Sequence, residues 1–271
     1  MTSDALGDRM KMYEKSGERL MPLLPAIVRL DGVCFHTFTK GLQRPYDPRL
    51  TSLLIETTKM LVKETNARCG YCQSDEITLL LYSDEFDSQI YFDAKIDKLV
   101  SVLAAKTSVF FNSQLAAVIP EKHRALPVFD CRVWNVPNKD EAANAILWRE
   151  LDATRNSISM AAQTYYSHDQ LLGRSSSEKQ ELLFQQGINW NDYPVEFKRG
   201  TYIQRRIEER PFTVEELDRL PKLHEAHKHP ELKIKRTSYG KVDLPPLRQV
   251  ANRVEVLFDG AEPITVSAQS V

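Results

Sequence analysis

The chain has 271 residues, 42% hydrophobic and 27% charged, enough for one elaborated domain or two small ones of ordinary globular composition. Its formal net charge of −1 excludes a globally basic nucleic-acid coat, so any contact with nucleic acid must use local patches. No apolar run is long enough to span a bilayer, Met1-Thr2-Ser3-Asp4 opens no signal-peptide core, and the 4 cysteines form no dense framework; a cytoplasmic chain with reduced thiols and no membrane partner is expected.

Residues 5–20 read as a polar helix leading into Pro22, and a strand follows at about 25–31. From Pro48 to Asn66 the apolar residues Leu50, Leu53, Leu54 and Leu61 fall at helical spacing on one face. Two strands come next, at about 69–73 and 77–82, joined by Ser74-Asp75-Glu76. Ile96, Leu99, Val100, Leu103 and Ala104 mark a second helix, and Val128, Phe129, Val133 and Trp134 a fourth strand at about 127–134. The order β-α-β-β-α-β predicts a ferredoxin-like α+β sheet, in which the first strand neighbours the central hairpin.

A long helix is predicted over 138–166, started by Asn138 with Glu141, with Arg149, Asp152, Asn156 and Ser159 on one face. Ser175 with Glu178 starts a further helix that Gly187 ends. A basic strand is read over Lys198-Arg199-Gly200-Thr201-Tyr202-Ile203-Gln204-Arg205-Arg206, and the Pro-punctuated sequence from about 208 reads as a peripheral extension.

Two stretches carry chemistry. Ala26-Ile27-Val28-Arg29-Leu30-Asp31-Gly32 ends on a carboxylate, and Asp75-Glu76 sits where one apolar run ends and the next begins. Asp-Gly is also a common turn pair, so Asp31 alone reads equally well as a turn residue, and Asp75-Glu76 alone reads as another turn. A carboxylate beside buried strand must be paired or hold a cation, and paired carboxylates suit magnesium. Successive strand residues face opposite ways, so Asp75 is expected as a ligand and Glu76 as its support. Gly32, without a side chain, leaves room for a phosphate or metal to approach. Lys198, Arg199, Arg205 and Arg206 form the best candidate patch for a nucleic-acid backbone, an exposed edge strand being the plainer reading. Cys69 and Cys72 have C-x-x-C spacing but point to opposite faces of a strand, against zinc; His224-Glu225-Ala226-His227 is one residue short of H-E-x-x-H and reads as a solvated helix.

Val28-Arg29-Leu30-Asp31-Gly32, Phe35-His36-Thr37-Phe38 and Gln73-Ser74-Asp75-Glu76 together resemble the tRNA-histidine guanylyltransferase family, and its bacterial, archaeal and phage-like branch more closely. Trp148-Arg149-Glu150-Leu151-Asp152 through Ser157 and Phe197-Lys198-Arg199-Gly200-Thr201 extend the likeness to residues 7–206. The resemblance implies a polymerase-type palm over 1–137, a helical and basic-strand elaboration over 138–207, and an extension over 208–271. It implies an enzyme that adds nucleotides to the 5′ end of tRNA in the 3′-to-5′ direction after activation of that end, with ATP and GTP as substrates. Asp31, the Gly32 carbonyl and Asp75 match its positions for two magnesium ions, with Asp31, Asp75 and Glu76 as the catalytic set.

Gly32, Val33, Cys34, Phe35 and His36 match the segment that cradles a triphosphate, and Arg44, Asp47, Ser74, Lys95 and Lys98 match residues around nucleotides. Lys95 and Lys98 also read as a solvated helix face. Arg149, Asp152, Arg155 and Asn156 are expected to contact RNA, and the family's tetrameric assembly is expected. Val33-Cys34, Arg44 and Tyr46 depart from the family pattern. Thr154-Arg155-Asn156-Ser157 stands where a His-Ile-Asn-Asn motif accompanies non-templated guanosine addition, which favours templated 5′-end repair over guanylylation of tRNA-histidine. A nucleotide cyclase on a palm-like sheet is a second reading, disfavoured by the missing Gly-Gly-Asp-Glu-Phe signature. A non-catalytic RNA-binding protein is a third, disfavoured by the retained Asp31, Asp75 and Glu76.

Overall fold

A computed structural model of the chain describes residues 7, 10, 17–86, 90–229 and 231–266. Strand β1 (Ala26–Gly32) leads through a turn and the short helix α1 (Phe35–Phe38) to helix α2 (Pro48–Thr65). Helix α2 starts where the Asp47 carboxylate accepts the Arg49 N–H at 3.0 Å and Pro48 takes the first turn, and it ends at Asn66 in the left-handed region. The hairpin β2 (Cys69–Gln73) and β3 (Glu76–Leu81) follows, then helix α3 (Ile96–Val118) and strand β4 (Phe129–Asn135). Helix α4 (Lys139–Ala162), capped by Asn138 through the Glu141 N–H at 2.8 Å, crosses the sheet. Helices α5 (His168–Leu171), α6 (Ser176–Gln185) and α7 (Val195–Arg199) lead to β5 (Thr201–Pro211). Helix α8 (Val214–Asp218), strand β6 (Lys233–Val242) and helix α9 (Arg253–Asp259) complete the order.

Among the described residues the strands form one antiparallel sheet, ordered β4-β1-β3-β2-β5-β6. Alternation along β1 divides its side chains between two cores. Ala26, Val28 and Leu30 pack under α2 and α3, with Leu53, Leu61, Leu99 and Phe111. Ile27 faces the other way, with Tyr71, Leu80, Ala142, Ile146 and the tail residues Val256, Leu257 and Phe258. By the same alternation Arg29 and Asp31 lie on the α4 side.

The predicted elements from residue 25 to residue 190 are present, with the fourth strand beginning 2 residues later than read, at Phe129, and the long helix ending at Ala162. Of the helix expected over 5–20, residues 7 and 10 are helical; 17–20 are not, Arg19 forming an isolated bridge to Lys95, and the remainder lies outside the described residues.

Two expectations are corrected. Lys198 and Arg199 are not on a strand: Pro194 opens helix α7, and Gly200, at φ 78°, closes it before β5 begins. A Cβ on Gly200 would lie 2.6 Å from the Tyr71 hydroxyl and 2.7 Å from the Cys72 carbonyl oxygen, so only glycine makes that transition. Nor is β5 a simple edge: β6 pairs with it from Tyr202 to Pro211, and β2 covers its other side only from Thr201 to Ile203, so Arg205 and Arg206 lie where that second side is open.

The stretch from about 208 is not wholly peripheral. Leu247, Val250, Val256, Leu257 and Phe258 are buried against α4 and the sheet. Glu150 of α4, 2% exposed, accepts the Leu247 N–H at 2.9 Å and the Tyr202 hydroxyl at 2.6 Å, so the tail is tied to the centre of the molecule.

Candidate active site

Asp31 and Asp75 meet because β3 pairs with β1 and carries the hairpin turn to the end of that strand. Asp31 stands directly across from Glu76, and the Gly32 N–H donates to the Asp75 carbonyl oxygen at 3.1 Å. The turn has two residues, Ser74 and Asp75, between the paired Gln73 and Glu76, with Ser74 at φ 55°.

Both aspartates are raised above the ordinary carboxylate range. Burial is the first cause for each; the Glu76 and Asp130 charges add to it at Asp31, and the Asp31 charge adds to it at Asp75. Arg132 offsets part of this, with its guanidinium 3.7 Å from the Asp31 carboxylate.

Glu76 has a different occupation. Its carboxylate takes a two-pronged contact from Arg149, at 2.7 and 2.5 Å, and a third from Arg29 Nε at 3.2 Å. Arg149 also reaches Asp152 at 3.2 Å, and Asp152 holds Arg155 at 3.1 Å and Asn156 at 3.2 Å. Arg149, Asp152, Arg155 and Asn156 therefore form one chain of contacts on α4 that ends on Glu76. A carboxylate engaged this fully is a brace for the strand end, in contrast to Asp31 and Asp75.

A cavity of about 560 Å³ opens beside Asp75, a size that suits a nucleotide. His36, Arg44, Tyr46, Asp47, Ser74 and Asp75 line it. Arg44 is exposed at its edge. Tyr46 stacks on Phe197, with ring centroids 4.7 Å apart, and meets Tyr193 edge-on at 6.3 Å, which gives one wall an aromatic face. Asp47 is the buried cap of α2, held below the ordinary carboxylate range by its bonds to Arg49.

Gly32 needs its missing side chain for packing: a Cβ there would lie 2.2 Å from the Phe35 ring. The space read as an approach for phosphate is filled by Phe35. The Gly32 and Val33 amides are also committed, to Asp75 and to Val128, which leaves those of Cys34, Phe35 and His36 at the start of α1.

Other expected residues lie elsewhere. Lys95 and Lys98 stand at the start of α3, whereas Phe111, further along, is the residue that packs on Phe35. At 1.5 Å per residue that separates both lysines from the Asp31 end by roughly 20 Å within one chain. Lys198 Nζ bonds the Asn191 carbonyl at 2.5 Å, and Arg199 bonds the Leu244 carbonyl at 3.2 Å beside Glu150. Arg205 and Arg206 are exposed on opposite faces of β5, Arg205 reaching Asn66 at 3.0 Å. These four do not form one patch. Cys69 and Cys72 are buried in opposite cores.

Three residues beside Asp31 escaped the sequence reading. Asp130 and Arg132 flank it from β4, and Arg29, two residues earlier on the same face, pairs with Glu76. The parity of Arg29 with Asp31 was available as a signal; the register of β4 was not.

Among the described residues no group of three or more His, Cys, Asp or Glu side chains is disposed to hold a metal ion. A cation at this end therefore has two aspartates and main-chain oxygen as donors. That set fits a hard divalent ion: every donor is oxygen, and the two carboxylates are crowded by like charge.

The family model described as "Thg1: tRNAHis guanylyltransferase" matches residues 7–137. The tRNA(His) guanylyltransferase of Saccharomyces cerevisiae is 30% identical over 211 residues, covering 70% of this chain and 86% of the yeast one. A bacterial tRNA(His) guanylyltransferase-like protein solved in complex with ATP is 40% identical, with a TM-score of 0.70, over 74% of this chain and 88% of that one. Another solved structure, of such a bacterial protein with GTP, is 37% identical, with a TM-score of 0.63, over 74% of this chain and 86% of that one. The chain belongs to the tRNA(His) guanylyltransferase family and is a nucleotidyltransferase of that type.

Proposed function

We propose that this protein adds nucleotides to the 5′ end of tRNA in the 3′-to-5′ direction, copying the opposite strand, on a polymerase-type palm of ferredoxin-like topology. The observation that carries this reading is the meeting of Asp31 and Asp75 at one end of the sheet, beside a cavity of nucleotide size. The relatives solved with ATP and with GTP support both as substrates, one activating the RNA 5′ end and the other being added.

Asp31, Asp75 and the Gly32 carbonyl would hold two magnesium ions. Magnesium, when bound, would supply positive charge that offsets the negative charge building on the attacked phosphate and its leaving group. Glu76, braced by Arg29 and Arg149, fixes the height of Asp31 across the strand pair. The amides of Cys34 to His36 take a triphosphate oxygen, and Arg44 at the cavity edge meets the remaining phosphate charge. Tyr46 and Phe197 give the base an aromatic wall. Thr154-Arg155-Asn156-Ser157 in place of His-Ile-Asn-Asn favours repair of truncated 5′ ends, and a tetramer is the working assembly.

The test is incubation with tRNA lacking its first nucleotides, ATP, magnesium and each labelled nucleoside triphosphate in turn. Growth only by the nucleotide complementary to the opposite strand supports the proposal. Growth by guanosine whatever the template indicates guanylylation; cyclic nucleotide without RNA growth, or binding without product, overturns it.

A further inference from the structure

The α4 face of the sheet holds a feature that the carboxylate chemistry does not use. Trp134 of β4 and Trp148 of α4 flank the Arg29 guanidinium, with ring centroids 5.5 and 5.2 Å away. The Arg149 guanidinium lies 4.6 Å from the Trp148 ring. Both arginines are anchored on Glu76, so the Trp148 indole is fixed to the ion pairs that stand one strand from Asp31. An aromatic ring supported in this way is ordinarily covered, yet Trp148 is 51% exposed. Among the described residues its indole N–H has no hydrogen-bond partner, whereas that of Trp190 donates to Ser157. The plane is held, and about half of its surface remains for a ligand.

Its surroundings indicate which ligand. Exposed Arg132 lies on the Asp31 side, and exposed Arg155 lies on the far side through Asp152 and Arg149. A flat apolar ring between cations that reach solvent matches a nucleotide, base on the ring and phosphates on the guanidiniums.

We propose that Trp148 is a stacking platform for the terminal base of the RNA 5′ end, holding that end over Asp31 and Asp75 while the next nucleotide joins. This rests on the transferase reading above. The incoming nucleotide belongs in the separate cavity beside Asp75, which Trp148 does not line.

Two RNAs test this: a 5′-truncated tRNA and the same molecule with its 5′-terminal nucleotide made abasic. The protein is expected to bind the intact RNA about tenfold more tightly, toward the low end for a base stacked on an aromatic ring. Trp148→Leu should bind both RNAs at the abasic level, Trp148→Phe should restore most of the difference, and GTP affinity should be the same in all three proteins. Equal affinity of the parent protein for the two RNAs overturns the proposal whether or not either variant folds. So does an equal loss on both RNAs in a folded Trp148→Leu, or a loss of GTP affinity in its place. Binding is read apart from extension. A protein that separates the two RNAs but adds no nucleotide keeps the platform and loses the transferase reading, and one that extends intact RNA without separating them loses the platform alone.

Discussion

Asp31 is pressed by like charge from both sides, with Glu76 across β3 and Asp130 across β4, and Asp75 completes the crowding at the hairpin. Because their carboxyls are raised in the folded state, the fold binds protons more tightly than the unfolded chain. In the metal-free protein the stability these two groups contribute is therefore lost as pH rises from the ordinary carboxylate range through the raised values. Asp31→Asn and Asp75→Asn are expected to raise Tm at neutral pH in chelator while losing transfer, and magnesium should raise Tm of the parent alone. Calorimetry with and without magnesium reads this; Asn variants that melt below the parent in chelator would contradict it. The cysteines give a second probe at this scale. Burial pushes Cys69 and Cys131 up to about 12 and Cys72 to about 11, whereas Cys34 is exposed at the start of α1. A thiol reagent should titrate one cysteine quickly in the native protein, and magnesium with GTP should slow that reaction. Fast reaction unaffected by nucleotide would remove the triphosphate from that turn.

Helix α4 does two jobs with adjacent residues, Arg149 bracing Glu76 and Glu150 tying in β5 and the tail. Glu150→Ala leaves the buried Leu247 N–H and the Tyr202 hydroxyl without their acceptor and is expected to cost about 3 kcal/mol in urea unfolding. A loss under about 1 kcal/mol would show that water replaces the carboxylate. Elements of this kind differ in how far sequence reveals them. Helix α2 was legible because Asp47, Pro48 and Asn66 mark both ends and its apolar residues keep one period. Helix α9 was hidden, since Val256, Leu257 and Phe258 are consecutive and their burial comes from the sheet they meet. Lys198 and Arg199 were misplaced because a five-residue helix between Pro194 and Gly200 shows no period of its own.

At the scale of the molecule, the order β4-β1-β3-β2 turns separate stretches of sequence into one site. The carboxylates were readable from their places at strand ends, and the hairpin placed them together. Asp130, Arg132 and the exposed face of Trp148 were not, because their meaning depends on cross-strand register and on where α4 crosses; of Arg29 only its shared face with Asp31 was readable, not its pairing with Glu76. With a net charge of −1, RNA has to be held by such local groups, and tetramer formation is open to light scattering on the purified chain. The most direct measurement is single-turnover extension of a 5′-truncated tRNA by the parent, Asp31→Asn and Asp75→Asn, with RNA binding measured in parallel. The parent should extend the RNA, and each variant should bind it normally and extend it at least a hundredfold more slowly, about 2.7 kcal/mol on the barrier. Full extension by either variant would contradict the central role given to the aspartate pair.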